Sequence, residues 1–269
     1  MNSYITKSIF KCSKFITKKQ ENDYVRLLFY NIRYGTGGKD RQKPWTGYLK
    51  HTGDNLKTIS EFIESKQPDV AGLVEVDLGS YRSKGKNQAE EIAKLTGHYH
   101  TFKTKYADNS IMHKFPVLNK QGNAFISRDS DRNEQFHFFD KGMKRLVIEL
   151  EFGGVSIWLV HLALSFKARH LQLSTLYSML ETRRKHNKPV VVMGDFNIFV
   201  GVKELNLFLQ ATGLNNPCAE EHILTFPSWK PKHQLDFILH SDDIVVNNIE
   251  AEKVIFSDHL PLICDIETK

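Results

Sequence analysis

The sequence predicts an α/β protein in which two β-sheets pack together with helices outside. Three observations carry that expectation. Apolar runs too short for helices recur along the chain, the clearest being residues 189–200, PVVVMGDFNIFV, where three valines and a methionine run straight into Gly194, Asp195 and Asn197. β-Branched residues favour an extended chain, and so short a run fits a strand buried on both faces. Segments with helical spacing alternate with these runs, and the strand-like stretches gather in two β-rich zones, as expected for packed sheets with helices outside.

Taken in order, VRLLFYNIRYG (25–35) reads as a buried strand carrying Asn31 at its end. Asp54 is the expected N-cap of a helix with Leu56, Ile59, Phe62 and Ile63 on its apolar face. DVAGLVEV (69–76) is the next strand and bears Glu75, followed by a helix near 89–95. QGNAFISR, KRLVIELEF and VSIWLVHLAL are strand-like, with a hairpin turn at Gly153-Gly154 and His161 closing the third. Residues 168–184 have helical periodicity through Leu171, Leu173, Leu176 and Leu180, and a further helix is expected at 203–210. After the loop TFPSWKPKHQ come strands at LDFILHS, with Asp236, and at 245–254 and 260–266, the last two separated by FSDHLP with Asp258 and His259. No internal repeat, low-complexity tract or linker interrupts residues 25–269, which are read as one domain preceded by a basic extension, residues 1–24.

The composition, 41% hydrophobic and 25% charged over 269 residues, is that of an ordinary globular protein. Net charge is +6, a moderate excess that suits an anionic substrate. Cys12, Cys218 and Cys264 are few and widely spaced, which reads as reduced thiols rather than a disulfide framework. No run approaches the ~18 apolar residues of a membrane span, and the N-terminus lacks the continuous apolar segment of an export signal. A cytoplasmic protein is expected. Residues 1–20 place Ile5, Ile9, Cys12 and Ile16 on one helical stripe with lysines mostly off it, so peripheral contact with a membrane surface stays open.

Polar residues recur at the C-terminal ends of the apolar runs: Asn31, Glu75, His161, Asp195 with Asn197, Asp236, then Asp258 with His259. In α/β proteins that rim is where ligands bind. Carboxylates and amide carbonyls are hard donors suited to Mg²⁺ or Mn²⁺, and two histidines beside them suit a phosphate, one as donor and one as proton carrier. No cysteine joins the set, so thiolate zinc and nucleophilic-cysteine chemistry are not suggested.

The motifs NIRYG, GLVEVD, WLVHL, GDFN, LDFIL and SDHLP resemble, in order and approximate spacing, the endonuclease/exonuclease/phosphatase superfamily, whose fold is that of pancreatic-type deoxyribonuclease. The resemblance covers residues 25–267, and GDFN followed by SDHLP in one chain is its most specific part. It implies a four-layer α/β/β/α sandwich of two mixed sheets flanked by helices, and Mg²⁺- or Mn²⁺-dependent hydrolysis of a phosphate ester. By the same resemblance, Asn31, Glu75 and Asp258 look like metal-site residues. Asp195 and Asn197 look like the pair that positions water and holds the phosphate or a second metal, and His161 like a donor to a non-bridging oxygen. Asp236 and His259 look like a carboxylate–imidazole pair, with His259 activating water or assisting proton transfer; the general base is Asp195 or His259.

WLVHLAL puts a histidine where the abasic-site endonucleases of the superfamily carry a different stretch. The TFPSWKP loop looks like that of small bacterial metal-dependent phosphodiesterases. Substrate choice is expected from Arg33, Arg41, Trp45 and Tyr48 in the loop after Asn31, and from Arg82 after Glu75. Such basic and aromatic groups suit a nucleic-acid backbone or an anionic lipid headgroup. The balance leans to a lipid-headgroup or small-molecule phosphodiester, with a DNA or RNA nuclease as the alternative and a silent binding module behind both. A monomer is expected.

Overall fold

In a computed structural model, the structure describes residues 24–37, 52–104, 120–130, 133–142, 144–184, 188–219 and 223–269. The N-terminal extension and the loop bearing Arg41, Trp45 and Tyr48 lie outside the described residues.

One sheet holds β1 (Val25–Asn31), β2 (Val70–Asp77), β3 (Tyr99–Thr104), β4 (Gln121–Ser127), β10 (Ile244–Ala251) and β11 (Leu262–Thr268), in the order β10-β11-β1-β2-β4-β3. The other runs β5-β6-β7-β8-β9, from β5 (Asn133–Phe138), β6 (Leu146–Phe152), β7 (Val155–His161), β8 (Val190–Asp195) and β9 (Asp236–His240). Among the described residues, only β1–β2 and β7–β8 pair in parallel. Both are central, and their strands are apolar almost throughout because both faces are covered.

The buried side chains form three layers of core. Between the sheets lie Leu27, Phe29, Val74 and Phe125 against Ile157, Leu159, Val191 and Met193. Outside the first sheet, α1 (Gly53–Lys66) and α2 (Gln88–Thr96) lay Leu56, Ile59, Ile63 and Ile92 on Leu28, Leu73 and Ala124. Outside the second, α3 (Phe166–Arg184) and α4 (Asn206–Thr212) lay Leu173, Leu176, Leu180 and Phe208 on Trp158, Val160 and Val192. Three cores separate four layers, the α/β/β/α sandwich expected.

Several details differ from the sequence reading. Edge strands β3 and β5 were not anticipated; their side chains are mostly half-buried and lack a clean apolar period. The first helix is capped two residues earlier than expected: Thr52 is the N-cap, and Asp54 lies in the first turn, where its charge favours the positive end of the helix dipole. Leu171 leaves the stripe of α3 for solvent. The helix expected at 203–210 is a short 3-10 turn, Val202–Leu205, running into α4. Gly194 is required by close approach, since a Cβ there would lie 2.1 Å from the Val160 carbonyl oxygen of the neighbouring strand.

Candidate functional site

Alternation along the strands builds the site. Leu27 and Phe29 point between the sheets, and two residues on, at the end of β1, so does Asn31. Ile157 and Leu159 are continued by His161, and Val191 and Met193 by Asp195. His161 pairs in register with Asp195, which pairs with Asp236, so three polar residues stand side by side on adjacent strands. The inter-sheet core thus ends in a polar rim.

Asp236 corrects one expectation. It opens β9 rather than ending an apolar run, and reaches the rim because β9 runs antiparallel to β8. Asp258 and His259 likewise precede β11, which is antiparallel to β1. Their turn is fastened by Ser228 N–H donating to the Asp258 carbonyl at 2.8 Å and Leu260 N–H donating to that of Thr225 at 2.8 Å.

Glu75 reaches the rim by a different device. Leu73 and Val76 both belong to the outer core, and the register between β2 and β4 shifts between them. This bulge gives Val74 and Glu75 the inner side together, with Glu75 at φ +56° in the left-handed region. Asn197, at φ +53°, is similarly constrained. Its N–H donates to Asp195 Oδ1 at 2.9 Å, and its side-chain amide to the Leu162 carbonyl at 2.9 Å.

Asp195 sits at the centre. Its Oδ2 accepts from Asn31 Nδ2 at 3.1 Å and lies 3.3 Å from His161 Nε2 and 3.8 Å from His259 Nε2. Burial raises the Asp195 pKa, but the charge of His259, then the hydrogen bond from His161 and the charge of Lys144, outweigh it and leave the carboxyl below its usual range. His259 Nδ1 lies 2.8 Å from Asp236 Oδ2. Burial lowers the His259 pKa, yet Asp236, Asp195 and Asp258 together raise it to about 10. His161 moves the other way: burial and the Lys144 ammonium lower it to about 4 despite Asp195 and Glu75. One histidine is therefore held charged and the other neutral.

Asp195, Asp236 and His259 bring potential ligand atoms within 4.8 Å of one another. Hydrogen bonding around a shared proton accounts for that cluster, because a charged imidazole donates and does not ligate a metal. The oxygen donors Asn31, Glu75 and Asp258 fit a divalent cation better. Burial raises the Asp258 carboxyl pKa, the Glu75 carboxylate adds to the rise, and His259 and Arg33 offset it incompletely. Asn31 Oδ1 accepts from Arg33 N at 3.1 Å, which leaves it a second lone pair.

Of the residues expected to meet substrate, Arg33 is buried, with Nε 3.3 Å from Asp258 Oδ2. Arg82 is a correction: it is 0% exposed, paired with Asp77 at 3.0 Å beneath the Tyr34 ring, and is no solvent-facing loop charge. Lys144 was missed. Its ammonium bonds His161 Nε2 and lies 3.9 Å from Glu75 Oε1. Gln172 holds its loop by donating to the Lys141 and Lys144 carbonyls at 2.9 and 2.6 Å. In the sequence it is one lysine among several near the start of β6. Phe226, from the TFPSWKP loop, was missed as well; its ring centroid is 5.0 Å from that of His259.

A helix-flanked pair of sheets with carboxylates, amides and two histidines at one rim defines a phosphoesterase of the deoxyribonuclease-like sandwich class. The chain belongs to the Endonuclease/Exonuclease/phosphatase family, whose model matches residues 28–259. Members of this family are phosphoesterase hydrolases and generally use divalent metal ions. A mannosyl-6-phosphatase from Bacteroides thetaiotaomicron is similar in structure at a TM-score of 0.69 and 15% identity, over 90% of this chain and 99% of that one. The human Nocturnin catalytic domain with bound sulfate gives 0.67 and 21%, over 92% and 95%. D. rerio TDP2 complexed with single-strand DNA product gives 0.63 and 15%, over 92% and 100%. No curated protein matches the chain.

Proposed function

We propose that the protein hydrolyses a phosphodiester, using Mg²⁺ or Mn²⁺ held by Asn31, Glu75 and Asp258. The observation that carries this reading is the contiguous row of His161, Asp195, Asp236 and His259 beside those oxygen donors. A bound divalent cation neutralises phosphate charge and stabilises the leaving oxygen.

Asp195 orients the attacking water. Its Oδ1 is fixed by the Asn197 backbone and its Oδ2 by the Asn31 amide. Asp195 Oδ2 and His259 Nε2, 3.8 Å apart, flank the position assigned to the attacking water. His259, when neutral, takes the proton of that water as the new O–P bond forms and the P–O bond to the leaving group breaks; the leaving oxygen takes a proton from solvent, and Asp236 fixes the ring through Nδ1 and stabilises the imidazolium. Lys144 would turn its ammonium from His161 Nε2 to one non-bridging oxygen, His161 with its proton on Nε2 would donate to another, and the second N–H of the Asn197 amide is assigned to the phosphate. Arg41, Trp45 and Tyr48 are assigned to the organic part of the substrate, for which a lipid headgroup or small molecule is favoured. The nuclease alternative draws on the likeness to a relative holding a DNA product.

Hydrolysis of bis-p-nitrophenyl phosphate with Mg²⁺ or Mn²⁺ is the test, with EDTA expected to abolish it. Asp195→Asn and His259→Ala should each lower kcat by about 10²–10⁴ with the fold intact. Full activity in either variant refutes the roles.

A further inference from the structure

We propose that the rim beside His259 is a docking surface for an anionic lipid bilayer. Leu164 is 63% exposed, Phe166 58%, Phe199 42% and Val200 73%. Single exposed apolar residues are ordinary, but a gathered set marks an interaction surface. Leu164 lies on the loop joining β7 to α3, Phe166 opens α3, and Phe199 and Val200 lie on the loop joining β8 to α4; buried Arg169 fastens the two loops together. Its guanidinium donates to the Ala163 and Leu164 carbonyls at 3.0 and 2.8 Å and grips both Glu204 oxygens at 2.6 and 3.0 Å. The Asn197 amide, bonded to the Leu162 carbonyl, adds a second tie. The two loops form one ledge.

The ledge is continuous with the site. The Phe199 ring meets Phe226 at 5.9 Å and His233 at 5.5 Å, and Phe226 meets His259 at 5.0 Å. Among the described residues of the ledge and of the stretch before β9, the exposed charges are basic. Lys167, Lys203, Lys230 and Lys232 are exposed on the ledge and on the stretch before β9. The sole acid in 162–170, 196–206 and 223–235 is Glu204, whose carboxylate is buried against Arg169. Lysines around exposed apolar side chains suit anionic headgroups above an acyl layer. Nucleic acid is the poorer match: Leu164 and Val200, the most exposed of the four, offer no ring for a base to stack on.

This inference deepens the lipid-headgroup reading and rests on it for the substrate, so binding and turnover are measured separately. The full-length protein in EDTA is co-sedimented with vesicles of phosphatidylcholine alone or mixed with phosphatidylserine. It should bind the mixed vesicles and release as salt rises. Leu164→Asp combined with Val200→Asp should reduce the bound fraction about tenfold or more, and Lys167→Glu with Lys230→Glu should weaken it too. Each double variant should hydrolyse bis-p-nitrophenyl phosphate like the parent. Equal vesicle binding by parent and both variants overturns the proposal, as does binding of single-stranded DNA in place of vesicles. Vesicle binding lost in the variants, with no diester hydrolysed by any of them, supports the ledge and sinks the phosphodiesterase reading instead.

Discussion

Replacing Asp236 with asparagine isolates what a buried carboxylate does for His259. Both side chains are sealed from solvent, and the ring stands at about 10 against an ordinary 6.5. At about 1.4 kcal/mol per pH unit, that rise is worth roughly 5 kcal/mol in favour of the charged ring. Asp236 is the largest of the raising influences. A neutral amide removes that influence and should lower the ring's pKa from about 10 toward its ordinary value. The sign follows from linkage: a ring whose folded value exceeds its unfolded one stabilises fully below about pH 6.5, and the contribution fades as pH climbs through about 10. Asp236→Asn should thus be less stable than the parent near about pH 6, with the deficit shrinking as pH climbs to about 10 and smallest above it. Histidine ring resonances of the metal-free protein, followed by NMR, give the titration, and urea unfolding at the two pH values gives the deficit. A ring that still titrates near 10 in the variant, or a deficit equal at both pH values, refutes the reasoning.

Two further expectations follow from the same geometry. Since His259 must be neutral to take a proton, kcat/KM on a soluble diester should rise about tenfold per pH unit through the neutral range. The shoulder should come no higher than about 10, because an added cation only lowers the ring; a flat profile removes the base role. Gly194→Ala forces a Cβ to within 2.1 Å of the Val160 carbonyl oxygen. It should cost about 1–3 kcal/mol, lowering Tm by several degrees in calorimetry; an unchanged Tm contradicts the close approach.

Much of the site was legible because the strand period runs on past the core. In β1, β7 and β8 the inner positions read Leu27, Phe29, Asn31; Ile157, Leu159, His161; and Val191, Met193, Asp195. A polar residue two steps beyond the last core residue lands at the mouth. Glu75 breaks this rule, since simple alternation would turn it toward the helices, and only the bulge brings it inward. Strand direction was not legible, so Asp236 and Asp258 were placed at ends when they stand at beginnings. β3 and β5 escaped notice because an edge strand is paired on one side only and need not be apolar. Arg82 sits in a run of polar loop residues, GSYRSKGK, and nothing local reveals that Asp77 draws it into the interior.

The left-handed backbone at Glu75 and Asn197 also bears on how the protein would change under selection. A side chain in that region costs about 1–2 kcal/mol that glycine would not. A library screened for heat resistance alone would therefore favour glycine at both positions, and would lose the carboxylate proposed to hold the metal and the amide proposed to face the phosphate as it did so. Improving such a protein for use requires that the screen reward turnover from the first round, since its cheapest routes to robustness run through the proposed reaction centre.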